Sequence, residues 1–427
     1  MSMKAKLWVV GISGIVTAYA MVGGMPFVGR MLSTSAQQPV NDSAAQIRIV
    51  ESVLQHIQND YVDEPNMDKV RLGALRGLAA GLDPYSSFLT AEQVRSFNEN
   101  AESGKVGIGA EFSQISGYLY VISAIKGSPA ERAGLRSGDV IEYIDNKATR
   151  DISLYDARQL ITGTAGTTVD LRVLRSGERP QTIKVVRGTY KVPPVETRVE
   201  LGKIGVVRVY SLETGEAGDI KAQLDNFQKQ GLQKVILDLR GVAAGTLQEG
   251  VAVANLFIRE GELARVIGRD NKVVSSFSAD PSKAVFTGEL AVLIDNSSAG
   301  AAEVVASAVA DLKRGEVIGE RTFGAGTEQK LFTLKSGDGY LLTVAKWASP
   351  TGVPFLGEER ATMGVKPTIE VKRPDVLPPL DVENLDPTAP ETPQPSPSPS
   401  PAKKEIEDVQ FKKAVEILLG ADKAKAA

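Results

Sequence analysis

The stretch Asp295-Asn-Ser-Ser-Ala-Gly-Ala-Ala-Glu303 follows an unbroken apolar run, Leu290 to Ile294, and opens an alanine-rich helical run, Ala301 to Lys313, that Gly315 ends. Strand, turn of small residues, helix: this is the form of a nucleophile turn, and it raises the question of whether Ser297 or Ser298 attacks anything. The flanks repeat the alternation. Ile204 to Val209 and Val235 to Leu239 read as strands, the second nearly all apolar, as a buried parallel sheet requires. Ala217 to Gln230, ended by Gly231, and Gly250 to Ile258 read as helices, and Tyr340 to Trp347 as a further strand. Residues 191–372 therefore form an α/β core.

Composition narrows the chemistry. A chain of 427 residues, 42% hydrophobic and 24% charged, makes a soluble assembly of two or three domains. A net charge of −3 and the lack of any basic stripe interleaved with aromatics exclude nucleic acid as a partner. There is no cysteine, so there is no thiol nucleophile, no disulfide and no cysteine-ligated zinc. The single histidine, His56, lies in an N-terminal amphipathic run and reads as a partly buried helix residue. No Ser-His-Asp triad is available to Ser297 or Ser298. Nothing in the pattern calls for a metal or a cofactor.

The first 30 residues address the chain to a membrane. Lys4 and Lys6 precede Leu7 to Gly29, which is uncharged and about long enough to span a bilayer. The lysines stay in the cytoplasm, so the remainder is extracytoplasmic, in the periplasm or cell envelope. Ser33-Thr-Ser-Ala36 supplies the small residues of a cleavage site, but the run is long for a signal-peptide core, which favours an uncleaved signal anchor over a signal peptide.

Residues 45–102 read as helical, with Ile47, Ile49, Val50, Val53, Leu54 and Ile57 at helical spacing. Asp83 to Thr90 punctuates them, and Thr90-Ala-Glu-Gln93 has capping-box form. Residues 103–190 form a small β-rich module. Strands are expected at Tyr118–Ile125, Val140–Ile144, Val169–Leu174 and Thr182–Val186. Short helices start at Ser128-Pro-Ala-Glu131, ending near Gly134, and at Ser153, ending before Gly163. Residues 373–403 are a Pro/Ser-rich linker. Residues 404–427 carry a last helix, roughly Lys404 to Leu419, striped by Ile406, Val409, Val415 and Leu418.

From about residue 45 to 372 the order of motifs resembles the carboxyl-terminal processing peptidases, the tail-specific serine proteases of bacterial envelopes and chloroplasts. Leu82-Asp-Pro-Tyr-Ser-Ser-Phe-Leu89 is similar to the family's Leu-Asp-Pro-His-Ser segment. Gly107-Ile-Gly-Ala110, Gly127-Ser-Pro-Ala130 and Ala133-Gly-Leu-Arg-Ser-Gly-Asp139 resemble its PDZ domain. Ile236-Leu-Asp-Leu-Arg240, Thr322-Phe-Gly-Ala-Gly-Thr-Glu-Gln329, Ser349-Pro-Thr-Gly352 and Gly364-Val-Lys-Pro367 resemble its glycine-loop strand, lysine segment and closing β elements. The resemblance implies a multidomain α/β and α+β protein: an N-terminal helical dimerisation region, a PDZ domain at 103–190 and a ClpP/crotonase-like protease core. It implies a Ser-Lys dyad in which a neutral lysine takes the serine proton, an oxyanion hole of backbone amides, and capture of a free peptide C-terminus by the PDZ amides at Gly107, Ile108, Gly109 and Ala110. Its terminal helices imply a homodimer, or a hetero-oligomer with an active relative.

The match fails where the chemistry sits. The family's Ser-Ala-Ser-Ala-Ser-Glu lies on Ser298 to Glu303, which puts its nucleophile at Gly300. Its Phe-Gly-Lys-Gly lies on Phe323 to Gly326, which puts the lysine at Ala325. Gln329 keeps the place of the supporting glutamine. The oxyanion loop, Asn-Asn-Pro-Gly-Gly in the family, is Gly241-Val-Ala-Ala-Gly245 here, leaving Ala244 and Gly245 to supply amides. Ser298 is the fallback nucleophile, but two residues along a sharp turn exceed the tolerance of about 1 Å for attack. Both Ser297 and Ser298 are expected to cap the following helix. Lys313, Lys330 and Lys346 are expected in structural or surface roles. The expectation is a pseudoprotease that binds peptide C-termini as an envelope adaptor or regulator. Its rivals are an active serine endopeptidase with a relocated dyad, and an envelope scaffold.

Overall fold

A computed structural model describes residues 43–99, 106–374, 380 and 407–425. The expected membrane segment, and nearly all of the expected linker, lie outside the described residues.

Two compact units divide the chain after Gly73. The first holds α1 (Ser43–Asp60), and α2 (Met67–Ala80) runs through the boundary. On α1, Ile47, Ile49, Val50 and Val53 are exposed. His56 is not partly buried as expected: its side chain is 75% exposed, and Nδ1 lies 2.6 Å from Asp60 Oδ2 one turn on.

The second unit begins at Ala74 and contains three sheets. After the short strand β1 (Ser87–Leu89), α3 (Ala91–Asn98) starts at the expected capping box: Thr90 Oγ1 accepts from Gln93 N–H and Gln93 Oε1 accepts from Thr90 N–H.

The module at 106–187 is an antiparallel sheet. Its strands are β2 (Ala110–Ile115), β3 (Tyr118–Ala124), β4 (Val140–Ile144), β5 (Lys147–Ala148), β6 (Thr168–Leu174) and β7 (Gln181–Val186), in the order β2-β3-β4-β6-β7 with β5 beside β4. Ser128 caps α4 (Pro129–Arg132) and Ser153 caps α5 (Leu154–Ile161), each accepting the amide three residues on. Alternate strand residues, among them Leu119, Val121, Val169, Leu171 and Val173, form the core with Leu154, Ala157 and Ile161 of α5. Each such side chain contributes about 1.5–3 kcal/mol on burial.

In the larger domain, β8 (Glu196–Glu200) lies antiparallel at one edge of β9 (Ile204–Arg208). Beside β9, β10 (Lys234–Asp238), β13 (Glu289–Ile294), β14 (Glu316–Gly319) and β17 (Ile369–Glu370) run parallel, giving the order β17-β14-β13-β10-β9-β8. Val235, Leu237, Val292 and Ile294 face α6 (Glu216–Lys229), α7 (Leu247–Asn255) and α8 (Ala301–Asp311). The residues between them, Ile236, Ala291 and Leu293, face α9 (Val409–Lys425). The last helix starts later than its apolar stripe suggests, because Asp408 Oδ1 accepts the Phe411 amide at 3.0 Å and fixes the start there. Ala414 and Leu418 are buried apolar residues of this helix, with Phe411 and Val415 partly buried beside them.

A second sheet joins β1, β16 (Gly339–Ala348), β11 (Glu262–Ile267) and β12 (Val273–Ser278), with β15 (Thr327–Thr333) also on β16. The sequence left β12 unassigned, for it is largely exposed and carries no apolar alternation; the solvent-facing strand pattern at Lys330 lies on β15.

Candidate functional site

The site forms where β13 ends, at the turn into α8. Asp295 organises this turn. Its Oδ1 accepts the amides of Gly241 at 2.9 Å and Ser297 at 3.0 Å, and Oδ2 lies 3.3 Å from Arg373 Nη2.

Neither serine caps the helix, contrary to the expectation. Ser298 is fully buried. Its Oγ accepts the Asp295 amide at 3.0 Å and donates to Leu239 O at 2.9 Å, so it staples the turn to the end of β10. With its proton directed to Leu239 O and one lone pair taken by the Asp295 amide, it is a bracing residue. Ser297 Oγ instead meets Ser137 Oγ at 2.5 Å, on a loop of the 106–187 module. Among the described residues, no lysine amine hydrogen-bonds either serine. Lys330 is exposed on β15, over the Phe332 ring. Lys346 pairs in register with Ile267 and Thr327. Lys313 lies beyond the end of α8.

Gly300, the nucleophile position of the resemblance, is the residue that enters α8, with φ 57° and ψ −110°. L-residues adopt such a backbone only under strain, as they do at nucleophile turns on other folds. A Cβ built here would meet nothing nearer than Trp347 Cζ3 at 3.6 Å and Ala243 O at 4.0 Å. The geometry of a nucleophile turn is present, with space for a side chain and none there.

The helix start is held from inside by Glu303, three residues on. Its fully buried carboxylate accepts the Gly300 and Ala325 amides at Oε2, each at 2.8 Å. At Oε1 it accepts the Gly324 amide at 2.8 Å and the Thr322 hydroxyl at 2.5 Å. Burial pushes its pKa up to about 7, against the pull of these four donors. Glu303 thus ties Gly300 to Ala325, the lysine position of the resemblance. Sequence reasoning placed Glu303 in the motif but gave it no work, although a glutamate three residues past a helix start is itself a capping signal.

Around this pair, Trp347 lies against Gly300 and also against Gly326, where a Cβ would come within 2.8 Å of Cε3. Ala325 belongs to an apolar cluster with Ala243, Ala299 and Phe323 of the core and Tyr118, Tyr120 and Ile122 of β3. Tyr120 stacks on Phe323 with centroids 5.6 Å apart, and Ser123 Oγ donates to Gly241 O at 2.7 Å. The β-rich module therefore roofs the site.

Gly245 stands beside the helix start with φ 154°, where a Cβ would lie 2.6 Å from Leu212 O and 2.9 Å from Ala301 Cβ. Only glycine fits. Leu212 holds the loop on both sides, donating to Ala244 O at 2.8 Å and accepting the Thr246 amide at 3.0 Å. The Gly245 and Ala301 amides find no acceptor among the described residues. Gln329 is exposed; its Nε2 donates to Thr327 Oγ1 at 2.6 Å and approaches Thr343 Oγ1 at 3.4 Å, which in turn donates to Asp83 Oδ1 at 3.0 Å. The Asp83 turn is thereby fastened to β16. Away from this site, Gly107 to Ala110 leads into β2, with Ile108 buried.

The model for peptidase family S41 matches residues 203–371, and a PDZ-domain model matches residues 120–175. A probable CtpA-like serine protease of Staphylococcus aureus (strain MRSA252) is 33% identical over 363 residues, 84% of this chain and 71% of that protein. The carboxy-terminal processing protease CtpA of Bacillus subtilis (strain 168) is 30% identical over 386 residues, 90% of this chain and 81% of that protein. Among solved structures, a photosystem II D1 C-terminal processing protease is 27% identical with a TM-score of 0.63, over 78% of this chain and 94% of that one.

Proposed function

Because the chain belongs to peptidase family S41, among the CtpA-like carboxy-terminal processing proteases with a PDZ domain, we propose that it is a member which holds peptide C-termini without cleaving them. One observation carries this reading: Gly300 and Ala325 share Glu303 Oε2, so the places of nucleophile and base are adjacent, and they offer a hydrogen and a methyl. No oxygen attacks and no amine takes its proton. The bound states of Ser297 and Ser298 support the same reading, since neither hydroxyl is free to replace the missing one.

The PDZ domain then does the work, taking a free carboxylate at the amides of Gly107 to Ala110. The α/β core serves as the body of an adaptor or regulator in the cell envelope. It is attached through residues 7–29 and paired with a second copy or an active relative. Among the described residues no helix is long and apolar enough to cross a membrane, so the attachment rests on the sequence of that N-terminal run.

The test is to incubate the purified chain with an unstructured polypeptide bearing a free C-terminus and to follow both by mass spectrometry and pull-down. Retention of an intact polypeptide is expected, and its amidated form is not retained. Progressive shortening of the tail overturns the reading.

A further inference from the structure

We propose that the PDZ groove selects peptides whose penultimate residue is basic, and that Glu111 is the residue that reads it. This rests on the reading of the PDZ domain as a binder of free C-termini.

The groove is the outer side of β2, which lies at the end of its sheet and, among the described residues, pairs only with β3. Gly107 to Ala110 leads into it. The carbonyls of that loop are engaged: Gly107 O accepts from Gly188 N–H at 3.2 Å, Ile108 O from Ala130 at 2.8 Å and Gly109 O from Ile125 at 3.0 Å. The Ile108 and Gly109 amides find no acceptor among the described residues, which is the arrangement that a carboxylate requires. A peptide added antiparallel to β2 with its last residue opposite Ala110 places its penultimate residue opposite Glu111. Directly opposed residues share a face, so the two side chains meet.

Glu111 is equipped for a cation. Ala110 and Phe112, its neighbours, turn to the module's own core, which leaves Glu111 on the other face. Its side chain is 35% exposed, so part of it remains open to solvent. No described residue donates a hydrogen bond to its carboxylate. The nearest cation, Arg158 Nη2, stands 3.9 Å away, beyond hydrogen-bond reach, on a side chain 51% exposed. Burial raises the carboxyl above its ordinary range; Arg158 opposes this and Glu213 adds to it. A lysine or arginine brought in by the peptide supplies the hydrogen-bonded cation that Arg158, paired with Glu111 only at 3.9 Å, does not.

The experiment uses the whole protein and fluorescence anisotropy of labelled peptides that differ only at the penultimate position, Lys, Ala or Glu, each as free acid and as amide. An opposite-charge cross-strand pair corresponds to about two- to fivefold in affinity, so the Lys free acid is expected to bind tighter than Ala by that factor, and Glu weaker than Ala. Glu111→Gln removes the ordering. Glu111→Lys inverts it, which a misfolded domain does not do. Free acids that bind better than amides but indifferently to the penultimate residue overturn this inference alone. Equal or absent binding of acids and amides overturns it together with the reading on which it rests.

Discussion

Gly300 and Ala325 donate their backbone amides to a single oxygen, Glu303 Oε2, each at 2.8 Å. The two positions lie 25 residues apart in sequence, on the entry of α8 and on the segment before β15. A buried glutamate brings them together whatever side chains they carry. The two hydrogen bonds hold both positions to one buried carboxylate oxygen and serve stability.

That dependence shows in the response to pH. The folded-state pKa of Glu303, about 7, exceeds its ordinary value of 4.5. Its contribution is fully present below the unfolded value and is lost as pH rises through about 7, because the unfolded chain ionises first. Denaturant titrations of wild type and Glu303→Gln are expected to differ in slope over that window, the variant losing less stability as pH rises. The amide introduced by this substitution also turns an N–H group toward the backbone donors, so the variant starts lower. Parallel pH profiles would show that Glu303 does not titrate there.

Ser298→Ala tests bracing against chemistry. It strands the Asp295 amide in the interior, a cost of about 1–3 kcal/mol, while Leu239 O keeps the Val242 amide at 3.2 Å. The denaturation midpoint is expected to fall while peptide retention persists in conditions where the variant is folded. Unchanged stability would remove Ser298 from the list of structural residues.

Restoring the side chains tests whether the scaffold is intact. Gly300→Ser places a Cβ in ordinary contact with Trp347 but at φ 57°, so it is expected to cost about 1–3 kcal/mol. Combined with Ala325→Lys it is expected to confer slow cleavage of unstructured tails, which Gly300→Ser alone does not. A folded double variant with no activity would place a further defect in the Gly241 to Gly245 loop.

Arg240 binds the last helix to this site. Its Nη1 and Nη2 each lie 2.8 Å from an Asp408 oxygen, and it also bonds Asp238. Against burial, which raises it, the Arg240 bonds hold Asp408 below its ordinary range. That stability is present above the unfolded pKa of Asp408 and is lost as pH falls through the folded one. Asp408→Asn is expected to speed hydrogen exchange across Val409–Lys425 at neutral pH and to narrow the acid sensitivity of that helix. Unaltered exchange would mean that apolar packing alone docks it.

Three strands of the parallel sheet were legible because they are short apolar runs, as at Val235 to Leu239 and Leu290 to Ile294; β14 and β17, short and toward one edge of it, were not. The serine caps at Ser128 and Ser153 were legible because capping is local. The roles of Ser297 and Ser298 were not, since their partners, Ser137 and Leu239, are brought to them only by tertiary packing. The same holds for Glu111, an ordinary strand glutamate until the sheet order leaves β2 at an edge. His56 was misjudged because amphipathic spacing locates a helix face without saying what covers it.

The most direct measurement is labelling of the purified protein with a fluorophosphonate probe, read by intact mass. No adduct is expected, at any pH at which the chain is folded, since among the described residues no lysine amine hydrogen-bonds Ser297 or Ser298. A stoichiometric adduct on one serine, abolished by replacing that residue, would mean that this chain has kept a nucleophile after all.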